Sequence, residues 1–363
     1  MQFRTTDNDL NGLDLLRFLL SITILIYHFP HFIFPFSDLQ TLNKGTLPLS
    51  ASLLFIYEYG DIAVRVFWMI SGVIFFHFYM EKIATRSVSF KKFAFNRLSR
   101  LYPLHLLTLI SVALLQYAYF QKFNVAFINP GNDFIHFILN LLMINYWSSK
   151  FGLSFNGPFW SVSVEIFVYI IFFLLAYVKL IIKPKFTLTF TLIFFVIYFL
   201  GILNPFNECL LFFFAGCLLA QNYQRVKFSH TSFLLLLITV LLTITYYTSI
   251  FSHEYVSRLI NCVIRLGIGI LLIIFFSKSF TMAGATLRTF LRTFGNMTYA
   301  MYMIHYSLQI ILILIFYQKG IEFINTPEFM INYILITAIL GYLIYRFFES
   351  PSQNFLRRLA RDL

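Results

Sequence analysis

Four polar side chains interrupt the first apolar run of the chain: Asp14, Arg17, Ser21 and His28, separated by three, four and seven residues. At 100° per residue this spacing puts them in a narrow sector of one helix face. Ionisable groups within hydrocarbon cost at least ~2.5–3.5 kcal/mol each on insertion scales, so such a stripe faces protein or water and marks a ligand path. Arg17 and His28 are eleven residues apart, about 16 Å of helix at ~1.5 Å per residue. An imidazole is the natural general base for a hydroxyl nucleophile, and a guanidinium is suited to hold a carbonyl oxygen or a phosphate. The plainer alternative, an Asp14–Arg17 pair three residues apart with a histidine used only in packing, is left open by the spacing itself.

Further polar groups recur in other apolar runs. Arg97 and Arg100 stand one helical turn apart and could together grip a phosphate at the inner membrane surface, or serve only topology and anionic lipid. Tyr102 and Pro103 suit a helix N-terminus at the interface. Trp160 and Ser161 open another run on the outer side, with Glu165 about a turn and a half deeper, where a carboxylate needs a partner. His28 is expected at a similar depth, and a carboxylate beside it would orient the imidazole and favour its protonated form. Tyr299, Tyr302 and His305 recur three apart on one face as a groove lining. Asp61 and Arg65 are spaced as an i,i+4 pair, Ser71 and Gly72 as a packing point, and Glu349 ends the last run.

The elements that must position these groups follow from composition. The 363 residues are 59% hydrophobic, 20% aromatic and 12% charged, with mean hydropathy +0.78. Half the charge of an average soluble domain cannot cover a water-facing surface, which excludes an ordinary cytosolic enzyme, a disordered chain and a disulfide scaffold. The expected fold class is all-α, a polytopic integral membrane protein. Runs able to cross ~30 Å of hydrocarbon as ~20-residue helices lie near 13–34, 61–80, 101–120, 158–181, 186–202, 206–221, 231–250, 258–277, 297–317 and 329–348. The shorter run 134–147, with Asn140 and Asn145, reads as re-entrant or interfacial. Ten spans with both termini in the cytoplasm place eighteen Lys and Arg inside against five outside, the asymmetry expected of cytoplasmic loops. The net charge of +12 then needs no nucleic-acid partner. Cys209, Cys217 and Cys262 have no metal-type spacing, so no metal is expected. No leader peptide or appended soluble domain is expected, and 352–363 form a short basic cytoplasmic tail.

Together these segments resemble membrane-bound acyltransferase family 3, integral membrane enzymes that acylate extracytoplasmic glycans. Arg17, ten residues and His28 are similar to its Arg-ten-residues-His signature, and Phe67 to Gly72 to its aromatic–Ser-Gly segment. Arg97 to Pro103 resembles its basic Arg-Tyr-Pro segment, Trp160 to Glu165 its Trp-Ser…Glu segment, Thr298 to His305 its Ser-Tyr…Tyr…His segment, and Glu349 to Pro351 its terminal Glu-x-Pro. Six segments stand in the family's order between residues 14 and 351. Thr298 replaces the usual Ser, Trp68 a frequent Phe, and Arg65 is an added charge.

The resemblance implies one acyltransferase domain over 1–351 in the inner (cytoplasmic) membrane. It implies an acyl-CoA donor, by family habit acetyl-CoA, and a hydroxyl acceptor on an extracytoplasmic or lipid-linked glycan. Capsule, O-antigen and exopolysaccharide are such glycans. Arg97, Arg100 and Tyr102 would take the coenzyme A phosphates, and Arg17, oriented by Asp14, the pantetheine or thioester carbonyl. His28, supported by Glu165, would be the base, with Trp160, Ser161, Tyr299, Tyr302 and His305 lining the groove. Relatives with a fused extracytoplasmic domain complete transfer there, so this chain would finish the reaction itself or hand the acyl group to a separate periplasmic or glycan-assembly partner. The residues alone also admit a transporter exporting a lipid-linked sugar or other amphiphile along the same stripe.

Overall fold

A backbone that crosses hydrocarbon must satisfy its own N–H and C=O groups, which a chain without barrel-type alternation can do only as helix. The computed structural model describes residues 11–148, 150–202, 204–223, 254–279 and 284–359, with 234 and 238, and among these residues it is helical with no strand. The longer elements are α1 (Asn11–Tyr27), α2 (Ser50–Tyr59), α3 (Ile62–Ala84), α4 (Phe90–Phe123), α5 (Phe134–Leu141), α6 (Trp160–Tyr177), α7 (Pro184–Phe199), α8 (Pro205–Asn222), α9 (Glu254–Ser279), α10 (Ala285–Phe316), α11 (Pro327–Ile344) and α12 (Ser350–Leu359).

Seven segments among the described residues are long and apolar enough to span a bilayer: Gly12–Phe32, Ile62–Ala84, Phe90–Phe123, Gly157–Tyr177, Ser257–Ser279, Thr286–Lys319 and Pro327–Leu359. They coincide with seven of the ten expected runs. The runs expected near 186–202 and 206–221 are the helices α7 and α8, of 16 and 18 residues. The run expected at 231–250, apart from residues 234 and 238, and Arg4, Arg225, Lys227 and Arg361 of the charge tally, lie outside the described residues. The run 134–147 forms only the eight residues of α5, about 12 Å at ~1.5 Å per residue, too short to cross. One boundary differs from expectation: Pro103 does not start a helix but sits inside α4, which begins at Phe90. Pro103 has no N–H to give the Ser99 carbonyl, and a single missing bond of this kind is tolerated in a membrane helix whose neighbours hold it.

The helices group into two compact units. The first comprises residues 1–17, 64–90 and 164–295. Its centre is a backbone-to-backbone crossing of α3 and α8, where a Cβ on Gly72 would collide with the Phe213 carbonyl and one on Gly216 with the Met69 carbonyl. Small residues that let membrane helices approach this closely replace the hydrophobic drive absent between helices in lipid. Phe75 then stacks on Tyr169 at 4.2 Å and meets Phe213 edge-on. Arg65, spaced in sequence for Asp61, bonds Glu208 of α8 at 2.9 Å. All three cysteines are buried and free.

The second unit comprises residues 18–63, 91–163 and 296–363. Phe29 and Phe32 pack on Phe329 and Tyr333 of α11. The segment after α4 is pinned by side chains: Gln116 exchanges two hydrogen bonds with the backbone of Phe127 (2.9 and 3.0 Å), whose carbonyl also accepts from the Tyr306 hydroxyl at 2.7 Å. Asp133 caps α5 by accepting from the His136 N–H at 2.9 Å. Ser163 donates to the carbonyl of Met143, held at φ 61°, and the Trp147 indole donates to the Ser163 carbonyl. These bonds fix the turn after α5 to the start of α6.

Candidate active site

His28 follows the last residue of α1, where the helix gives way to a 3-10 turn, Phe29–Phe32, with Pro30 at its start. Three residues per turn eclipse positions i and i+3, and His28 and His31 accordingly stack, ring centroids 4.8 Å apart and planes 18° from parallel. Both are half-buried. Opposite them runs α10, whose residues Tyr302, His305 and Gln309 are spaced three and four apart and so share one face.

Among the described residues, that face supplies the hydrogen bonds at the two imidazoles. His28 Nδ1 lies 3.0 Å from His305 Nε2, with the rings only 5° from parallel. His305 Nδ1 is 2.6 Å from the Tyr302 carbonyl. His31 Nδ1 lies 3.2 Å from Gln309 Oε1, and Gln309 Nε2 donates to the His28 carbonyl at 2.7 Å. His305 and Gln309 are fully buried, so the pair of half-buried histidines is backed by a buried polar wall. Low dielectric strengthens each of these bonds.

Tyr302 extends the wall to α6. Its hydroxyl donates to the Pro158 carbonyl at 2.7 Å, which commits its one proton, and Ser161 Oγ at 2.8 Å therefore donates to the phenol oxygen. Tyr299 donates to the Leu101 carbonyl of α4 at 2.8 Å. Tyr299, Tyr302 and Ser161 are thus buried braces that hold α10 against α4 and the start of α6. Trp160 is half-buried against Tyr146, centroids 5.5 Å apart. His105 donates from Nε2 to the Asn140 carbonyl at 2.7 Å and stacks on Phe159 at 3.7 Å, fixing the turn before α6.

Arg97 and Arg100 sit in the first turns of α4, both half-buried, with Tyr102 half-buried beyond them. Arg100 and Glu349 lie within electrostatic reach of the Tyr299 hydroxyl. A π turn, Tyr345–Glu349, carries Glu349 inward to 3% exposure; such turns add a residue to the helix and recur at functional sites.

In the first unit Arg17 and Asp14 pair at 3.5 Å, as their spacing suggested, with 15% and 22% of their side chains exposed. Gly12 abuts the Phe276 carbonyl of α9, and a Cβ on Gly295 would strike the Asp14 carboxylate, so this end of α1 is seated between α9 and α10. Glu165 lies on the part of α6 in the first unit and is half-buried. Within the second unit the structure brings together His28, His305, Tyr302 and Ser161 of the expected residues, and it adds His31 and Gln309. The signal for both additions was in the chain: a second histidine three after His28, and a glutamine four after His305 in an otherwise apolar run.

Outside the spans, the N–H and imidazole of His136 hold the Asp133 carboxyl below its ordinary pKa. Among the described residues no group of three or more His, Cys, Asp or Glu side chains could hold a metal ion.

A family model described as an acyltransferase domain matches residues 10–346. No curated protein and no solved structure matches the chain. The match runs from before Asp14 to beyond Gln309 and takes in both ends of α1, the whole histidine wall and every span but the end of the last. The chain therefore belongs to acyltransferase family 3 and is a multi-pass membrane acyltransferase.

Proposed function

We propose that the protein transfers an acyl group, acetyl in the simplest case, from cytoplasmic acyl-CoA to a hydroxyl of an extracytoplasmic or lipid-linked glycan, in the inner (cytoplasmic) membrane. Capsule, O-antigen and exopolysaccharide chains are the acceptor class, residues 1–351 the working domain, and the basic end of the chain a cytoplasmic tail. The observation that carries this reading is the placement of His28: one ring nitrogen is held by His305 on a buried wall, and the residue is only half-buried.

In the step proposed, the acceptor oxygen forms its bond to the acyl carbon as His28 takes the hydroxyl proton. The carbon–sulfur bond breaks, and coenzyme A leaves as a thiolate that recovers the proton. Arg17, oriented by Asp14, is assigned the pantetheine or the thioester oxygen, where a desolvated guanidinium opposes developing negative charge. Arg97 and Arg100, with Tyr102, are assigned the coenzyme A phosphates, and Glu165 is kept as a supporting carboxylate. Trp160 and the braced pair Ser161 and Tyr302 are assigned to the wall of the acceptor groove.

The test is mass spectrometry of surface glycans from cells expressing the protein, its His28→Ala variant at equal membrane abundance, or neither, with thioester consumption measured on membranes. Acyl groups present only with the intact protein identify the reaction and its acyl group. Equal acylation in all three, with altered export of a glycan instead, would overturn the reading in favour of transport.

A further inference from the structure

The proton positions along the histidine wall are fixed by groups that can only accept. The Tyr302 carbonyl has no proton to give, so His305 Nδ1, 2.6 Å away, carries the hydrogen. His305 is fully buried, and among the described residues its other nitrogen meets an imidazole rather than a carboxylate. A charged ring there would lack the pairing that buried charge requires. Neutral His305 therefore presents the lone pair of Nε2 to His28, and the 3.0 Å bond between them must be donated by His28 Nδ1. The proton of His28 is thereby committed to the wall, and its Nε2 is left as a bare lone pair.

The same logic reaches the second ring by an independent route. The His28 carbonyl accepts from Gln309 at 2.7 Å, which settles which end of that amide is nitrogen. Gln309 Oε1 then faces His31 Nδ1 at 3.2 Å and takes its proton, so His31 Nε2 is bare as well. Two stacked imidazoles are held in one tautomer by residues one turn apart on a single helix.

We propose that His305 and Gln309 are positioning residues that lock His28 and His31 in the Nδ1–H tautomer, so that each presents Nε2 as an acceptor, His28 serving as base and His31 as its stacked companion. The assignment rests on the acyl-transfer reading for its purpose but on the carbonyl anchors for its content. In the familiar arrangement a carboxylate orients the basic histidine; here a neutral imidazole anchored to a backbone carbonyl fills that place. It fixes the tautomer without placing a charge on the wall itself.

The test uses the full-length protein in nanodiscs with ¹⁵N-labelled histidine rings, the His28 signals being identified by their loss in His28→Gln. The expected spectrum has His28 with the proton on Nδ1, against the Nε2–H form that a free neutral imidazole favours. His305→Phe keeps a ring in the wall but offers no acceptor, and is expected to move His28 to the Nε2–H form. His305→Gln, which can present an amide oxygen, is expected to retain the Nδ1–H form. Transfer from acetyl-CoA should follow: about 10²-fold lower kcat in His305→Phe with KM for acetyl-CoA within about twofold, and recovery to within about tenfold of the intact enzyme in His305→Gln, magnitudes in the range of general-base effects.

His28 in the Nε2–H form in the unaltered protein would overturn the proposal, as would full activity in His305→Phe. Equal losses in both variants with KM rising in step would reduce His305 to packing and overturn it too. An unaltered protein that transfers nothing, yet shows His28 in the Nδ1–H form, would remove the acyltransferase reading and leave the tautomer assignment standing.

Discussion

An imidazole is a directional base only when one of its nitrogens is engaged elsewhere, and at His28 that engagement comes from a residue 277 positions later in the chain. His28→Ala is expected to lower acyl transfer by at least ~10²-fold, with the folded protein still in the membrane; glycan mass spectrometry at matched abundance reads the loss. At Arg97 and Arg100, charge-assisted contacts of about 1.5–3 kcal/mol each predict that replacing both by Ala raises KM for acetyl-CoA more than tenfold while kcat changes little. A loss confined to kcat would detach these residues from the donor. Ser161→Ala removes one donor from a hydroxyl that keeps its bond to Pro158, so a stability loss of about 0.5–1.5 kcal/mol is expected, read by thermal unfolding in detergent.

The helices hold these groups by close approach and capping. At the α3–α8 crossing both glycines face carbonyls of the opposite helix. Gly216→Leu must therefore push the helices apart, and overpacking of this kind costs about 1–3 kcal/mol, measurable as a lower unfolding temperature. Asp133 is a cap of a different sort, exposed and on the short α5. Its lowered pKa means that the folded state favours the carboxylate. The stabilisation is present above the ordinary Asp range and lost as pH falls from there through the lowered pKa of the folded state. Asp133→Ala should accordingly unfold more readily than the parent at neutral pH and match it once the pH has fallen below the lowered pKa of the parent's carboxyl; a gap that persists in acid would show that the cap does not depend on charge.

Over the whole molecule, many large apolar side chains, such as Leu114, Phe134, Leu174 and Phe347, remain more than half exposed, as lipid-facing surface requires. The ten spans expected from the sequence, with both ends inside, make a labelling prediction. Lys44→Cys should react with an impermeant maleimide from outside intact cells and Lys183→Cys only after permeabilisation, while the native cysteines, all buried, stay silent. Labelling of Lys183→Cys from outside with Lys44→Cys protected would reverse the topology, and labelling of both from outside would change the number of spans between them.

Composition and run length alone determined that this chain is a helical membrane protein, because hydrocarbon imposes one secondary structure on any apolar run of that length. The order of Arg17, His28, Arg97, Trp160 and His305 was enough to suggest the family, and the i,i+3 spacing of Asp14 and Arg17 anticipated their pair. Spacing could not say which nitrogen of His28 meets His305, since that partner arrives from a helix distant in sequence. The course of α4 through Pro103 and the bond of Arg65 to Glu208 were decided in the same way, by neighbours distant in sequence. Periodicity tells a helix which face is polar, but only packing tells that face what it will touch.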